Sequence, residues 1–210
     1  MCDQGIQGKL RRRFKCTTKS DPELPVAPNL LDRDFNAERP NQRWAGDTTE
    51  IIVPGGKLYL AVIIDLFSRF VVGWSLSETN DRHLTIQALR QAIIRRCPQA
   101  GLLAHSDRGS TYASNAYQDE LEKNHITCSM SRRGNCFDNA AMESWFSTLK
   151  SELGEKFESK SDAEAKLFDY IEVFYNQKRL HSTLGYLSPA EFERRTAVAI
   201  TEPGPIRKAA

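Results

Sequence analysis

The feature that most constrains the fold is a nearly continuous apolar run at residues 58–66, LYLAVIIDL, which follows the turn signal Pro54-Gly55-Gly56. A strand with one solvated face alternates apolar and polar residues, whereas this run is typical of a central strand covered on both faces. The flanking segments 43–53 and 69–77 are rich in β-branched and aromatic residues. Strands are therefore predicted at 43–53, 57–67 and 69–77, joined by tight turns into an antiparallel meander.

The pattern changes to helical spacing after residue 80. Apolar residues then recur three and four positions apart, and Asn80 or Asp81 can cap the first helix. Helices are predicted at 81–96, 112–124, about 137–152 and 161–177, and short strands at 101–106 and 126–130. The order βββαβαβ followed by helices predicts an α/β protein with a ribonuclease-H-like mixed five-stranded sheet flanked by helices.

The two ends of the chain differ in composition from this core. The first twenty residues carry six basic side chains against one acid, Asp3. Such an arm attracts polyanions through counterion release, although a solvated, disordered tail is an equally good interpretation. Residues 21–42 are rich in Pro, Asn, Asp and Arg, which is typical of an extended linker. We predict a basic N-terminal arm and linker at 1–42, a folded core at 43–178 and a C-terminal extension at 179–210.

Composition argues against several classes of protein. No apolar run reaches the roughly 18 residues of a membrane span, and no apolar stretch follows the N-terminal basic residues as in a secretory signal. The five cysteines are odd in number and scattered, without a Cys-x-x-Cys pair. A zinc ribbon or a disulfide framework is therefore not expected, whereas a soluble protein of the reducing cytosol is.

Three acidic residues lie in different contexts that this topology would bring together. Asp47 is in the first strand, Asp107 follows the strand after the first helix, and Glu143 is in the helix at 137–152. That later strand is expected to pair in parallel with a central first strand, so that Asp47 and Asp107 lie side by side. Glu143 borders the apolar stripe of its helix, which consists of Met142, Trp145, Phe146, Leu149 and Leu153. Each acid alone could be an ordinary turn or helix residue. Together they would form a cage of hard oxygen ligands that suits Mg²⁺ or Mn²⁺ and phosphoryl chemistry.

Polar residues on and before the same helix have more than one interpretation. Lys150 lies two turns beyond the acid on the same polar stripe, where it could contact a phosphate backbone. Asn135 or Asp138 could cap the helix, and Asn139 could contact DNA beside that cap.

Other charged residues near the predicted site are also ambiguous. Arg132 and Arg133 could neutralise phosphates or belong to a solvated loop. Arg179 could contact DNA or interact with the C-terminus of the last long helix. Asp65, on the second strand, is interpreted as structural or as a support for the acidic cluster, with a metal ligand as the lesser alternative. His105 is interpreted as support for the end of its strand, because three hard oxygen donors do not require an imidazole.

Five motifs occur in order and with compatible spacing over about residues 22–192. They are Trp44-x-Gly46-Asp47; Leu58-Tyr59-Leu60-Ala61 with Asp65-x-Phe67-Ser68-Arg69; His105-Ser106-Asp107-Arg108-Gly109; Ser129-Met130-Ser131-Arg132-x-Gly134-Asn135 with Asp138-Asn139-Ala140-x-x-Glu143-Ser144; and Tyr175-Asn176-x-x-Arg179-x-His181 with Leu184-Gly185-x-x-x-Pro189. Together they resemble the catalytic core of bacterial insertion-sequence transposases with a retroviral-integrase-like, or DDE, domain. More narrowly, the chain resembles the second-reading-frame product of the group whose transposase arises by frameshifting.

The resemblance implies a metal-dependent DNA strand transferase with an integrase-like core at 43–178. Asp47, Asp107 and Glu143 would be the catalytic acids, with Asp47 bridging two Mg²⁺ or Mn²⁺ ions when DNA is bound. One ion would activate a water or a DNA 3′-hydroxyl, and the other would stabilise the leaving 3′-oxygen. No covalent enzyme intermediate is implied.

The resemblance also implies partners and a cellular place. The substrates would be transposon ends and target DNA, bound by a homo-oligomer, with a first-frame or full-length transposase as a possible further partner and no membrane. The protein would act in the bacterial cytoplasm, on the nucleoid when active. DNA contacts are expected from Arg11, Arg12, Arg13, Lys15, Arg132, Arg133, Asn139, Lys150 and Arg179.

Two departures from the family pattern leave alternatives open. Glu50 stands where relatives usually have an aromatic residue, and the chain begins within what resembles the tail of an upstream helix-turn-helix region, at residues 8–15. One alternative is a non-catalytic fragment that binds DNA or regulates full-length transposase. Another is a ribonuclease acting on RNA–DNA hybrids, because the carboxylates suit either nucleic acid.

Overall fold

A computed structural model of the chain describes residues 26–132, 135–154 and 156–201, and its centre is a mixed five-stranded sheet. The strands are β1 (Arg43–Val53), β2 (Gly56–Asp65), β3 (Val71–Ser77), β4 (Leu103–Ser106) and β5 (Thr127–Met130), in the order β3-β2-β1-β4-β5. The β1–β2 and β2–β3 pairs are antiparallel, and the β1–β4 and β4–β5 pairs are parallel. The predicted meander, the central first strand and the parallel β1–β4 pair are confirmed.

Helices cover both faces of the sheet. They are α1 (Arg82–Arg96), α2 (Asn115–Lys123), α3 (Ala140–Leu153), α4 (Lys160–Phe168), which continues as a π-helical segment at Asp169–Tyr175, and α5 (Pro189–Thr201). Short 3₁₀ turns lie at Cys136–Asn139 and Ser182–Leu184. Among the described helices, none is long and apolar enough to cross a membrane.

Hydrogen bonds of side chains explain where the boundaries differ from the prediction. The carboxylate of Asp65 accepts the N–H groups of Asn41 and Phe67, at 2.7 and 2.9 Å, and Arg69 adopts a left-handed φ of 63°. The chain therefore turns directly after Asp65, which shortens both strands predicted to meet there. Helix α2 begins three residues later than predicted because Ser114 is its N-cap.

The two helical layers enclose separate halves of the core. The predicted apolar stripe of α3 is confirmed, since Met142, Trp145, Phe146 and Leu149 are buried against the face that carries Ala45 and Ile51. On the other face α1 packs directly on β3. A Cβ added at Gly73 would collide with the backbone carbonyl of Ala88, so only glycine permits this close approach.

The segments before and after the sheet also pack on it. Residues 26–42 form no helix or strand, but Leu31 is buried, and the N–H groups of Leu30 and Leu31 donate to Ser129 Oγ at 2.9 and 3.2 Å. Near the other end, Asn176 Oδ1 accepts the N–H of Val71 at 2.8 Å and its Nδ2 donates to the carbonyl of Val71 at 3.2 Å. Helix α5 is fastened by Glu193, which accepts two hydrogen bonds of 2.7 Å from Arg96.

Candidate active site

The junction of β1 and β4 brings Asp47 and Asp107 next to each other. Gly46 pairs with Ser106 in the parallel ladder, so the two aspartates follow directly on neighbouring strands. Side chains alternate along a strand, and Ala45 and Leu103 pack into the half of the core beneath α3. By this alternation Asp47 and Asp107 belong to the same face, which is the face that α3 covers.

Burial raises the pKa of both aspartates, and the charge of Asp107 adds to the shift of Asp47. Burial is the largest cause that raises the pKa of Asp47 well above its usual range, and the charge of Asp107 raises it further. The N–H of Thr48, which donates to Asp47 Oδ1 at 2.7 Å, acts in the opposite direction. Burial also raises the pKa of Asp107, opposed by the N–H of Gly109 at 2.9 Å from its Oδ1. Two acids thus lie together in a partly buried place where a cation would be favourable.

Glu143 reaches this place from the first turn of α3. Its side chain is exposed, and its charge raises the pKa of Asp47, while Lys150 on the same helix lowers it. Both α3 residues therefore lie within electrostatic range of Asp47. Across residues 26–132, 135–154 and 156–201, however, no three His, Cys, Asp or Glu side chains are close enough together to hold a metal ion. The structure places the two aspartates together and Glu143 near them, outside a closed cluster.

The chemistry of these donors fits a divalent cation of the magnesium type. All three are carboxylates, the hard oxygen ligands that Mg²⁺ and Mn²⁺ prefer. The repulsion that raises the pKa of Asp47 is the interaction that such an ion would relieve. A cavity of about 340 Å³ opens beside the two aspartates, and it is also lined by Glu50, Tyr59, Asn80 and Tyr112. Glu50 makes an ion pair of 2.8 Å with Lys57 across the β1–β2 hairpin.

Two buried polar residues support the strands beneath the site, as the sequence indicated. His105 lies between Ser129 Oγ, 2.8 Å from its Nδ1, and Ser131 Oγ, 3.2 Å from its Nε2. Burial lowers the pKa of His105 to about 4, so its imidazole is neutral near pH 7. Burial raises the pKa of Asp65 to about 6, and its carboxylate holds the turn after β2.

The residues predicted to contact DNA are in different situations. Those of the basic arm (Arg11, Arg12, Arg13, Lys15) and Arg133 lie outside the described residues. The guanidinium of Arg132 binds Asp138 through two contacts of 2.9 Å, and that of Arg179 binds Glu152 at 2.7–2.9 Å. Asn139 is only 5% exposed, and neither amide atom has a hydrogen-bond partner among the described groups.

The expected capping before α3 is only half correct. Asn135 caps the 3₁₀ turn by accepting the N–H of Phe137 at 3.2 Å. Asp138 does not cap the helix, because its carboxylate accepts hydrogen bonds from Arg33, from Arg132 and from Asn29 instead. The sequence analysis did not predict that arginines bind Asp138. Arg33 is far from Asp138 in the sequence, and no local pattern marks the two residues as a pair.

A second cavity, of about 580 Å³, lies on the other flank of α3. Ser144 and Thr148 line it from the helix, and Arg69, Arg179 and His181 line it from the surrounding loops, while no acidic residue does. In the described part of the chain, the guanidinium of Arg69 makes no hydrogen bond or ion pair. Its sequence motif did not suggest a role, because the cavity forms only when the turn after β2 meets α3.

Comparisons with known proteins agree with this architecture. Residues 37–136 match a family model described as Integrase core domain, and residues 143–196 match a second model of the same description. The transposase InsF of insertion sequence IS3A from Escherichia coli K12 is 45% identical over 194 residues, covering 91% of this chain and 67% of the relative. An uncharacterized 31 kDa protein of insertion element IS600 from Shigella sonnei is 43% identical over 192 residues, covering 90% and 71%. The chain thus spans about two thirds of the length of these relatives.

Solved structures show the same fold at low sequence identity. The simian T-cell lymphotropic virus intasome, in complex with a PP2A regulatory subunit, superposes with a TM-score of 0.64 at 18% identity, over 92% of this chain and 66% of that one. The HTLV-2 integrase catalytic core domain in complex with magnesium gives a TM-score of 0.58 at 20% identity, over 75% of this chain and 99% of that one. The predicted ribonuclease-H-like fold is confirmed.

Proposed function

Because the chain belongs to the insertion-sequence transposases with an integrase core and carries their catalytic domain, we propose that it cuts and joins DNA strands at a DDE site formed by Asp47, Asp107 and Glu143. The observation that carries this proposal is the adjacency of Asp47 and Asp107 at the β1–β4 junction, with the pKa of each raised. Glu143 would complete the site from α3, and its charge already raises the pKa of Asp47.

The three carboxylates would hold two Mg²⁺ or Mn²⁺ ions when DNA is bound, with Asp47 as the shared ligand. When bound, the ions would supply Lewis acidity to the attacking and leaving oxygens of an in-line displacement. The magnesium of the HTLV-2 neighbour supports this choice of ion. The protein's own contribution is to keep Asp47 and Asp107 side by side, and Lys150 favours the ionised form of Asp47 that such binding needs.

The proposed substrate is DNA, both transposon ends and target. A DNA strand that crosses α3 would lie between Lys150 on one side of the helix and, on the other side, the cavity of about 580 Å³ that Arg69 and Arg179 line. Contacts from the loop residues Arg132, Arg133 and Asn139 and from the basic arm at 1–42 would extend this path. We further propose that the core at 43–178 works as a homo-oligomer on the bacterial nucleoid, in the cytoplasm, with the C-terminal extension at 179–210 as part of each copy.

A strand-transfer assay with labelled transposon-end DNA, with and without Mn²⁺, tests the proposal. Asp47→Asn, Asp107→Asn and Glu143→Gln should each reduce strand transfer by more than about a hundredfold, since loss of a group that merely orients a metal ligand already costs 10–100-fold. Asp119→Asn is the matched control, because this exposed acid lies on α2, away from the site.

Each other result has a defined meaning. Near-normal strand transfer by any one of the three site variants would overturn the assignment. Salt-sensitive DNA binding by the wild type without metal-dependent cleavage would support the non-catalytic fragment instead. Cleavage confined to the RNA strand of a hybrid would support the ribonuclease.

A further inference from the structure

The turn before α3 contains a carboxylate with no exposed surface, that of Asp138. Its Oδ1 accepts hydrogen bonds from Arg33 Nε at 3.0 Å and Arg132 Nη2 at 2.9 Å. Its Oδ2 accepts from Asn29 Nδ2 and from the backbone N–H and Nε of Arg132, each at 2.9 Å. Five donors saturate a carboxylate, which offers about four lone-pair positions. The hydrogen bonds of Arg132 are the largest cause that holds the pKa of Asp138 well below its usual range.

These donors connect parts of the chain that are distant in sequence. Asn29 and Arg33 precede Asp138 by 109 and 105 residues. Their segment is held against β5, because Ser129 Oγ accepts the N–H groups of Leu30 and Leu31. The same hydroxyl is hydrogen-bonded to His105, two residues before Asp107. Asp138 therefore ties the start of α3 to the layer of structure that carries Asp107.

The position of Asp138 matters because α3 delivers Glu143. Asp138 lies five residues before Glu143, which corresponds to about 7 Å along a helix. The buried stripe from Met142 to Leu149 packs α3 on the sheet, and the hydrogen bonds of Asp138 hold the turn that leads into the helix, so both set where Glu143 stands. Among the described residues, Glu143 does not yet close a metal-holding cluster with Asp47 and Asp107. Its distance from the two aspartates is therefore the feature on which a positioning contact at the start of α3 would act.

We propose that Asp138 is a positioning residue for Glu143. Asn29 and Arg33, in the segment before the core, take part in this positioning through their hydrogen bonds to Asp138. The inference rests on the proposed function, since it requires Glu143 to act with the two aspartates. Ordinary helix capping does not account for Asp138, because Asn135 accepts the N–H group of this turn. A solvated ion pair does not account for it either, because its side chain has no exposed surface.

The test compares Asp138→Asn with Glu120→Gln in the chain of 210 residues. Both replacements remove a carboxylate charge that an arginine binds. Glu120 lies on α2 and pairs with Arg90 of α1 at 2.8 Å, remote from α3. With Asp138→Asn we expect kcat for strand transfer to fall about 10–100-fold, as for loss of other groups that orient a metal ligand. KM for DNA should stay within about twofold, and the Kd for Mn²⁺, followed by electron paramagnetic resonance, should rise about tenfold. Glu120→Gln should leave all three unchanged.

A double-mutant cycle separates positioning from general loosening of the fold. If Asp138 acts through Glu143, then Glu143→Gln weakens Mn²⁺ binding less in the Asp138→Asn background than in the wild type. A purely structural role predicts that the two losses add, and that result would overturn the proposal. So would wild-type kcat and Mn²⁺ affinity in a folded Asp138→Asn protein.

Arg33→Gln keeps the test decisive if Asp138→Asn does not fold. Arg33 is half exposed and Asp138 keeps Arg132 as its partner, so this variant should fold and show a smaller loss of kcat and Mn²⁺ affinity in the same direction. If Arg33→Gln and Glu120→Gln had the same kcat and the same Mn²⁺ affinity, the proposed positioning role would be excluded. If wild type and Glu120→Gln both lack Mn²⁺-dependent cleavage, the proposed function fails, a result distinct from failure of positioning alone.

Discussion

Replacing Asp47 with asparagine should make the metal-free protein more stable while it abolishes strand transfer. Burial and the charge of Asp107 raise the pKa of Asp47, so its ionised form is unfavourable in the folded state at neutral pH. Neighbouring strands lie about 4.8 Å apart, and two unit charges about 5 Å apart repel by about 3 kcal/mol at an effective dielectric constant of about 20. Lys150 offsets part of this repulsion. We therefore expect a gain of about 1–3 kcal/mol, or about 2–12 °C in Tm for a protein of this size.

The direction of the pH dependence follows from the sign of the pKa shift. The pKa of Asp47 in the folded state is above the unfolded value of about 3.9. Between these two pKa values the folded state binds more protons than the unfolded state, so the stability of the wild type falls as the pH rises through this range. Asparagine does not titrate, so the advantage of Asp47→Asn should be largest near pH 8 and should vanish near pH 4. Contributions from acids that do not act on Asp47, such as Asp138 with its lowered pKa, are common to both proteins and cancel.

Thermal unfolding in EDTA at pH 8 and pH 4, with Asp119→Asn as the control, measures this difference. Added Mn²⁺ should then raise the Tm of the wild type, because an ion that binds the folded state stabilises it, and should leave Asp47→Asn unaffected. A variant less stable than the wild type at pH 8 in EDTA would refute the argument that Asp47 is destabilised by its surroundings. An advantage that did not change with pH would refute it as well.

Two further predictions concern the DNA path and the packing of α1. Lys150→Gln and Arg69→Gln should each weaken DNA binding and reduce the slope of log K against log salt by about one unit, measured by fluorescence anisotropy; an unchanged slope would remove that residue from the path. Gly73→Ala should lower the free energy of unfolding by at least about 1–3 kcal/mol in urea, since the new methyl group meets the backbone of α1; wild-type stability would mean that α1 can move away without cost.

The sequence was sufficient for the part of the site that depends on strand topology. Composition located β1, which is rich in β-branched and aromatic residues, and a short apolar run located β4. The preference for parallel pairing after a crossover helix placed Asp47 beside Asp107, as the ladder has them. Neither inference needs distances finer than one residue, because the register of a ladder is discrete. Boundaries were less predictable, since the end of β2 depends on a buried carboxylate, Asp65, that accepts two backbone N–H groups.

The position of Glu143 depends on a different kind of information. Periodicity identifies the buried stripe of α3, but it does not determine how far the first turn stands from the sheet, which is a matter of a few ångströms. That distance is controlled where the chain enters the helix, at a carboxylate that binds the nearby Arg132 and also two residues 105 and 109 positions upstream. A pair so distant leaves no local pattern, so Asp138 resembles an ordinary capping acid until the folded structure shows its donors. In the proposed site, whose three acids come from separate segments, we therefore expect the residue that sets the geometry of Glu143 to matter for catalysis alongside Glu143 itself.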